Sequence, residues 1–260
     1  MGRTAFVAWL CFFTVLGGSN SRADEPVDIL ARIRSWDRLH GDVRRNIRKY
    51  GPENIVVAVD FDNTTARVPT FYGSDAWYKA QLATGKDKEQ IHRELDEIFG
   101  STPHLLIDKL APEYLRKWQD LRVRVVLLTA RSPRFHDVTR REALRLSLDF
   151  SKSAPKSDWD GKDVLLAAKD KAGKPFQGNV AYRNGMVHCG DVDKGTVLRA
   201  FLEAADLTPA AVVMADDRLY HLEEVGVAFR GSPIDLRLIL VDDGLEPLTC
   251  PAEVVKATAL

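Results

Sequence analysis

Two carboxylates stand two residues apart in the segment Asp60-Phe61-Asp62-Asn63-Thr64, directly after an apolar run. That run, residues 55–59, contains three valines and is typical of a strand buried on both faces. Open α/β sheets carry their chemistry at the carboxyl ends of such strands. Asp60 can there act as a nucleophile or metal ligand, and Asp62 as a general acid and base. The alternative is a turn whose polar side chains only satisfy the local backbone.

Three more apolar runs, at 123–128, 211–215 and 238–241, are each followed by polar residues. Their polar residues are, in chain order, Thr129 and Arg131, then Asp216 and Asp217, then Asp242 and Asp243. A hydroxyl and a guanidinium just past a strand end can bind phosphate oxygens. Either acidic pair could bind a divalent cation through its oxygens. Because Asp243-Gly244 is also a standard turn pair, we assign the last pair a structural role.

Residues 194–202 have the pattern of a helix with one buried face, and Asp193 is placed to cap its start. The first residue of this helix, Lys194, carries a charge that the helix dipole disfavours at that end. The pattern therefore predicts an anionic group close to Lys194.

The chain before the first strand predicts an amphipathic helix within residues 26–50, which ends before Gly51-Pro52. Its basic run contains Arg44, Arg45, Arg48 and Lys49. A solvated helix face is the favoured interpretation of this run, and a phosphate site is the alternative.

Residues 66–120 have no strand pattern and contain helical stretches at 89–99 and 112–119. This segment is too long for a plain connection between a strand and a helix, so it predicts a cap or lid. Trp77 and Tyr78 either face a substrate or anchor the cap to the body of the protein.

The later part of the chain predicts a helix at 137–148, an irregular polar link at 151–163 and a hairpin at 180–188. The hairpin prediction depends on Asn184-Gly185 between two apolar runs. His188 and His221 have no second histidine or cysteine at metal spacing, which favours ordinary polar or packing roles.

The first 25 residues differ in composition from the rest: Arg3, an apolar run at 5–16, then small and polar residues. The run is too short to span a bilayer, and Ser21 and Ala23 fit a signal peptidase site, so we expect a signal peptide at 1–23. An uncleaved membrane anchor is the alternative. Export is therefore expected, to the periplasm or outside the cell, without stable membrane association after cleavage.

Charge and cysteine content add two constraints. Lys plus Arg and Asp plus Glu are balanced at 37 each, so no net field favours nucleic acid or an anionic membrane. Of the three cysteines, Cys189 and Cys250 would remain after cleavage, either paired in an oxidising compartment or as two buried thiols.

Taken together, these motifs resemble those of haloacid dehalogenase-like (HAD) phosphohydrolases. Residues 60–64 match the D-x-D-x-T signature, and the later motifs are matched in order by Thr129, Lys194 and the Asp216-Asp217 pair. The resemblance covers about residues 50–245. The stretch 184–217 is further similar to an exported bacterial HAD-like family whose function is unassigned.

The resemblance implies an α/β, Rossmann-like three-layer fold with a mainly parallel central sheet and a helical cap insertion. The core would comprise 24–65 and 121–260, and the cap 66–120. Asp60 would attack phosphorus, and Asp62 would protonate the leaving alcohol and later activate water. Thr129 and Lys194, with Arg131, would bind the phosphoryl oxygens of a small phosphorylated substrate.

The metal implied by the resemblance is Mg²⁺. Its ligands would be Asp60, the backbone carbonyl of Asp62, and Asp216, with Asp217 as a second ligand or an orienting group. Mg²⁺ suits this set because it prefers carboxylates, substrate phosphate and retained waters. Thr64 would tie the loop together through its hydroxyl.

These observations predict a Mg²⁺-dependent phosphatase that acts on a small phosphomonoester through an aspartyl-phosphate. A phosphotransferase with the same intermediate is the alternative among enzymes. An exported binding protein that has the fold but no turnover is the alternative from another class. The substrate itself is not encoded in these motifs, because a fold does not specify its ligand.

Overall fold

The central feature of the protein is an eight-stranded, mostly parallel sheet, found in a computed structural model that describes residues 31–169, 172–242 and 248. The predicted signal peptide, residues 26–30, Asp243 and Cys250 lie outside the described residues. The sheet strands are β1 Ala31–Ile33, β2 Ile55–Val59, β5 Arg124–Thr129, β6 Asp163–Lys169, β7 Pro175–Arg183, β8 Met186–His188, β9 Ala211–Asp216 and β10 Asp235–Val241. Two short strands, β3 Ala66–Arg67 and β4 Leu105–Leu106, pair separately. The helices are α1 Trp36–Tyr50, α2 Asp75–Ala83, α3 Lys88–Ser101, α4 Ala111–Asp120, α5 His136–Arg145, α6 Lys194–Ala204 and α7 Leu219–Ala228.

The strand order is β1-β10-β9-β2-β5-β8-β7-β6. All pairs from β1 to β8 are parallel, and the pairs β8–β7 and β7–β6 are antiparallel. The first predicted strand, β2, lies in the middle of the parallel part, between β9 and β5, and all five of its residues are buried. This position explains its continuous apolar run, since a central parallel strand is covered on both faces.

Helices cover both faces of the sheet. On one face, Val57 and Val59 of β2 share an apolar cluster with α1 and α4, where Trp36 and Trp118 stack with ring centroids 5.8 Å apart. On the other face, Val56 and its neighbours share a second cluster with α6 and α7. The α/β class and the mainly parallel sheet are therefore as predicted.

The first helix begins later than predicted. Residues 31–33 pair in parallel with β10 as strand β1, and α1 begins only at Trp36, where the Ser35 hydroxyl accepts the N–H of Asp37 at 3.1 Å. A side-chain cap of this kind satisfies one of the free N–H groups at a helix start. The basic run on α1 is exposed, as expected for a solvated face.

The segment predicted as a cap divides into two parts. Helix α4 packs in the cluster around Trp36 and so belongs to the body of the protein. Helices α2 and α3 form a separate apolar cluster in which Trp77 and Phe99 are buried with Phe135, from the turn after β5. Trp77 thus has the anchoring role rather than the substrate-facing one.

Helices α2 and α3 contact the loops that follow three central strands. Asp75 forms an ion pair with Arg218, which follows β9, and accepts a hydrogen bond from Asn63, which follows β2. Arg134, which follows β5, donates to Glu89 and to Asp96 of α3, at 2.6 Å each. The two helices therefore lie against the carboxyl edge of the sheet.

The predicted hairpin is confirmed: β7 and β8 pair antiparallel around Asn184 and Gly185, with φ of 54° and 78°. The strand β6 was not predicted, because its sequence, Asp-Val-Leu-Leu-Ala-Ala-Lys, has apolar residues on both faces and so no clear alternation. None of the helices in the described part of the chain has the length and apolar run needed to cross a bilayer.

Candidate functional site

The carboxyl ends of β2, β5 and β9 meet at one place. Val59 pairs with Leu127 on one side and with Ala215 on the other, and the N–H of Asp60 donates to the Ala215 carbonyl at 3.0 Å. The polar residues that follow these strands in the sequence therefore lie at one edge of the sheet, as the topology of a parallel sheet requires.

The turn after β2 is held by its own threonines. The Thr65 hydroxyl donates to the Asp60 carbonyl at 2.6 Å, and the N–H groups of Thr65 and Ala66 converge on the Phe61 carbonyl. The Thr64 hydroxyl donates to Asp60 Oδ2 at 3.3 Å and accepts the N–H of Asp217 at 2.8 Å. Thr64 thus ties the first carboxylate to the loop after β9, in agreement with the predicted tying role.

Lys194 connects the two buried carboxylates. Its Nζ lies 2.6 Å from Asp60 Oδ1 and 2.7 Å from Asp216 Oδ2, and its side chain is 1% exposed. Burial alone would lower the pKa of Lys194, but the two carboxylates outweigh burial and raise it above the usual value. The anionic neighbours expected from the position of this lysine at a helix start are therefore Asp60 and Asp216.

The start of α6 explains how Lys194 reaches this position. The Asp193 side chain accepts the N–H of Thr196 at 2.7 Å and caps the helix as predicted. Gly195 allows α6 to approach α7 closely, because a Cβ at this residue would lie 2.2 Å from the Glu224 carbonyl oxygen. Any side chain at residue 195 would push the helix, and with it Lys194, away from the carboxylates.

A third carboxylate, Asp217, completes an acidic group. Asp60, Asp216 and Asp217 each offer an oxygen, and these three oxygens lie within 4.8 Å of one another. Burial and repulsion from Asp60 and Asp216 raise the pKa of Asp217 to about 8. Burial, only partly offset by Lys194, raises the pKa of Asp60 to about 6. One lysine therefore does not neutralise the three carboxylates, and a divalent cation would fit this oxygen-rich group.

Asp62 is held apart from that acidic group by Arg131. The guanidinium donates from Nε to Asp62 Oδ2 and from Nη2 to Asp62 Oδ1, both at 2.7 Å. Burial opposes ionisation of Asp62, but the Arg131 charge outweighs burial and holds the pKa of that carboxyl below its usual value. The side chain of Asp62, which is 36% exposed, is the member of the site most open to solvent among those predicted as metal ligands.

Arg131 itself is almost fully buried. It is 7% exposed, its Nη1 donates to Thr139 at 3.0 Å, and its guanidinium lies over the rings of Phe61 and Phe99. Its backbone N–H donates to the Thr129 hydroxyl at 3.1 Å. Thr129 and Arg131, predicted to bind substrate, are thus linked to each other and to Asp62.

Sequence reasoning missed His104, which lies behind Arg131. Its Nε2 is 2.9 Å from Arg131 Nη2, and because a guanidinium only donates, this nitrogen must accept and the ring proton must be on Nδ1. Nδ1 then faces Glu142 Oε2 at 3.5 Å. Burial, reinforced by Arg131, lowers the pKa of His104 to about 4. No local pattern signals this contact, because residues 104, 131 and 142 belong to different elements.

The two histidines considered in the sequence have different surroundings. His221 Nδ1 lies 3.1 Å from Asp216 Oδ1, so His221 supports a site carboxylate. His188 is fully buried, and its Nε2 lies 3.3 Å from Nδ1 of His136. Neither belongs to the group of three oxygens, although His221 contacts one of its members.

Most of the chain matches a known protein family. Residues 33–241 match a family described as "Protein of unknown function (DUF2608)". The chain belongs to this family. The matched region extends from the end of β1 to the end of β10 and contains every site residue named above. No curated protein matches the chain.

Proposed function

We propose that this member of the DUF2608 family is a Mg²⁺-dependent phosphatase that acts on a small phosphomonoester through an aspartyl-phosphate. The observation that carries the proposal is the buried lysine between two carboxylates, with a third carboxylate beside them. Phosphoryl transfer needs positioning and charge neutralisation more than elaborate covalent chemistry, and Lys194 together with a cation held by the three carboxylates would supply both. The resemblance of residues 60–64 and of the later motifs to HAD phosphohydrolases points to the same reaction.

In the proposed first step, a carboxylate oxygen of Asp60 attacks phosphorus and the bond from phosphorus to the alcohol oxygen breaks. Asp62 gives its proton to the leaving oxygen. In the second step, water attacks the phosphorus of the aspartyl-phosphate and loses a proton to Asp62, which releases phosphate and restores Asp60. Lys194 and Thr64 orient the Asp60 carboxylate throughout, because each holds one of its two oxygens.

The proposed metal site consists of Asp60, Asp216 and Asp217, with the backbone carbonyl of Asp62 as a further ligand. Bound Mg²⁺ would neutralise charge on the carboxylates and on the phosphoryl oxygens. A binding test does not depend on turnover: Mg²⁺ should raise the melting temperature of the wild-type protein. Asp217→Asn should melt higher than wild type without metal, since it removes one of three crowded carboxylates, and should gain less from Mg²⁺. An equal gain in both proteins would exclude Asp217 as a ligand.

The ion pair between Arg131 and Asp62 connects the proposed roles of the two residues, phosphate binding and proton donation. A bound phosphoryl group would compete with Asp62 for the same guanidinium donors, since arginine forks suit phosphate and carboxylate equally. Binding of substrate would then free Asp62 and pair the Arg131 charge with the phosphoryl group, so that this charge would lower the pKa of Asp62 less. Asp62 would therefore become able to donate a proton only when substrate is bound.

The ion pair between Asp62 and Arg131 also favours the alternative of a non-catalytic phosphate-binding protein, because it keeps the proposed general acid ionised. Incubation with p-nitrophenyl phosphate and Mg²⁺ separates the two functions. The phosphatase should release nitrophenol, should stop when EDTA removes the metal, and should yield an acid-stable phosphoenzyme on rapid quenching. Binding of phosphate without nitrophenol release would favour the binding protein. Transfer of phosphate to an added alcohol instead of water would identify the phosphotransferase.

We also propose that the protein is exported after removal of residues 1–23. The support is the basic, apolar and small-residue order of that segment. N-terminal sequencing of the protein from the periplasm or medium should start at Asp24. An intact Met1 on a cytosolic protein would exclude export.

A further inference from the structure

Strand β6 lies at one end of the sheet and is paired on one side only within the described part of the chain. It pairs antiparallel with β7 along its full length, from Asp163 opposite Ala181 to Lys169 opposite Pro175. Its other side has no strand partner among residues 31–169 and 172–242, and carries a row of backbone N–H and C=O groups there. Such an edge readily accepts another strand.

Apart from the charged residues at its two ends, β6 lacks the protective devices that are common on edge strands. Proteins usually shorten an edge strand, bend it with a bulge, or place proline or an inward charge in it. This strand has seven residues in unbroken register with β7 and contains no proline. Val164, Leu166 and Ala168 pack against the apolar cluster below the sheet, so no charge points inward.

The outward face of β6 is apolar in its middle. Leu165 is 64% exposed, which makes it the most exposed large apolar side chain among the described residues, and Ala167 beside it is exposed as well. Charged residues stand only at the two ends, with Asp163 at the start and Lys169 at the finish. Their signs are opposite.

The sequence of β6 is therefore complementary to itself. If two copies pair antiparallel around Leu166, Asp163 of each copy lies opposite Lys169 of the other. In the same register Leu165 lies opposite Ala167, so that apolar residues meet apolar residues. Directly opposed charges of unlike sign stabilise a strand pair, and like charges destabilise it. A shift by one residue would lose both charge pairs and would place buried side chains opposite exposed ones.

We propose that β6 is an interaction surface for a second copy of this chain, and that two copies join antiparallel through β6 into one continuous sheet. The contact is symmetric, as expected for a two-fold dimer. It lies at the far end of the sheet from β1 and is separated from β2 by β5, β8 and β7. It is independent of the proposed phosphatase function.

Charge reversal tests the pairing by sedimentation velocity of the purified full chain over micromolar to submillimolar concentrations. Wild type should form dimers as its concentration rises. Lys169→Asp should weaken the dimer about tenfold or more, because two attractive pairs become repulsive, and Asp163→Lys should do the same. An equal mixture of the two variants should recover the dimer, because each then opposes unlike charges.

Lys109→Asp serves as the matched control, since Lys109 is an exposed lysine just before α4, which packs in the cluster around Trp36 and not against β6. It should dimerise like wild type. Asp163→Lys also breaks the pair that Asp163 forms with Arg183 in its own chain. If it does not fold, the comparison of Lys169→Asp with Lys169→Arg replaces it, and only the arginine variant should dimerise. A monomeric wild type, a dimer unaffected by Lys169→Asp, or folded variants that do not recover the dimer when mixed would each overturn the proposal.

Discussion

Arg131 holds Asp62 through two parallel hydrogen bonds of 2.7 Å, so the proposed general acid is paired with the proposed phosphate ligand. The sequence pattern gives the two residues separate roles and does not signal that they pair. It makes the ionisation of Asp62 depend on Arg131, because the guanidinium is what holds the pKa of Asp62 below its usual value against the effect of burial.

Removal of that guanidinium should therefore move the pH profile. In Arg131→Met the pKa of Asp62 should rise, because the adjacent positive charge that favours the ionised carboxyl is lost. Asp62 then stays protonated to higher pH. The alkaline limb of the kcat/KM profile, which reports the free enzyme, should therefore shift to higher pH. KM for a phosphomonoester should also rise.

The control for this experiment is Arg134→Met. Arg134 belongs to the same loop but pairs with Glu89 and Asp96 of α3. The Arg134→Met substitution should leave the alkaline limb of the kcat/KM profile at the same pH as in wild type. An unchanged limb in Arg131→Met would exclude Arg131 as the residue that controls Asp62.

The two leading carboxylates should differ when each is changed to an amide. Asp60→Asn should abolish turnover and the phosphoenzyme, because an amide is a poor nucleophile. Asp62→Asn should lose about 10²–10⁴-fold in turnover, the usual worth of general acid–base catalysis. With an aryl phosphate, whose leaving group needs little protonation, Asp62→Asn should still show a burst of nitrophenol in stopped flow. Wild-type turnover in Asp60→Asn would refute the nucleophile assignment.

The hydroxyl of Thr64 should contribute to the stability of the folded protein. Thr64→Val keeps the shape of the side chain but leaves the N–H of Asp217 and one oxygen of Asp60 without their partner. We expect a loss of about 1–3 kcal/mol in the free energy of unfolding, the usual cost of an unpaired buried polar group. Thr64→Ser, which keeps the hydroxyl, should retain most of the stability. Urea unfolding measures both, and equal losses in the two variants would show that the hydroxyl is not responsible.

Buried His188 should make the protein less stable in acid. Burial lowers the pKa of His188 to about 3, with a further contribution from the charge of His136, whereas an unfolded histidine has a pKa near 6.5. Below pH 6.5 the unfolded chain therefore binds a proton that the folded chain does not, and stability falls as pH falls from about 6.5 towards 3. The slope contributed by one such group is about 1.4 kcal/mol per pH unit. His188→Gln should reduce the slope of unfolding free energy against pH between 6 and 4, and an unchanged slope would contradict this account.

Local sequence was sufficient for the elements whose pattern has one physical interpretation. The run at 55–59 is apolar throughout because β2 is covered on both faces, and Asn184-Gly185 suits a tight turn because both residues tolerate positive φ. The same reasoning placed Asp60, Thr129 and Asp216 at one edge, since the ends of parallel strands share an edge, and the helix pattern placed Lys194 at a helix start. It did not locate β6, whose two faces are both apolar, nor the strand before α1.

Tertiary structure alone decided which of these side chains touch. Sequence placed Asp60 and Asp62 together on one turn, but the fold directs Asp60 to Lys194, at the start of α6, and Asp62 to Arg131, in the loop after β5. It also brought His104 behind Arg131, which no spacing in the chain could signal. The reason is physical: a strand end specifies where a residue lies, whereas the partner of a buried charge is selected by whichever opposite charge the packed helices bring within hydrogen-bond distance.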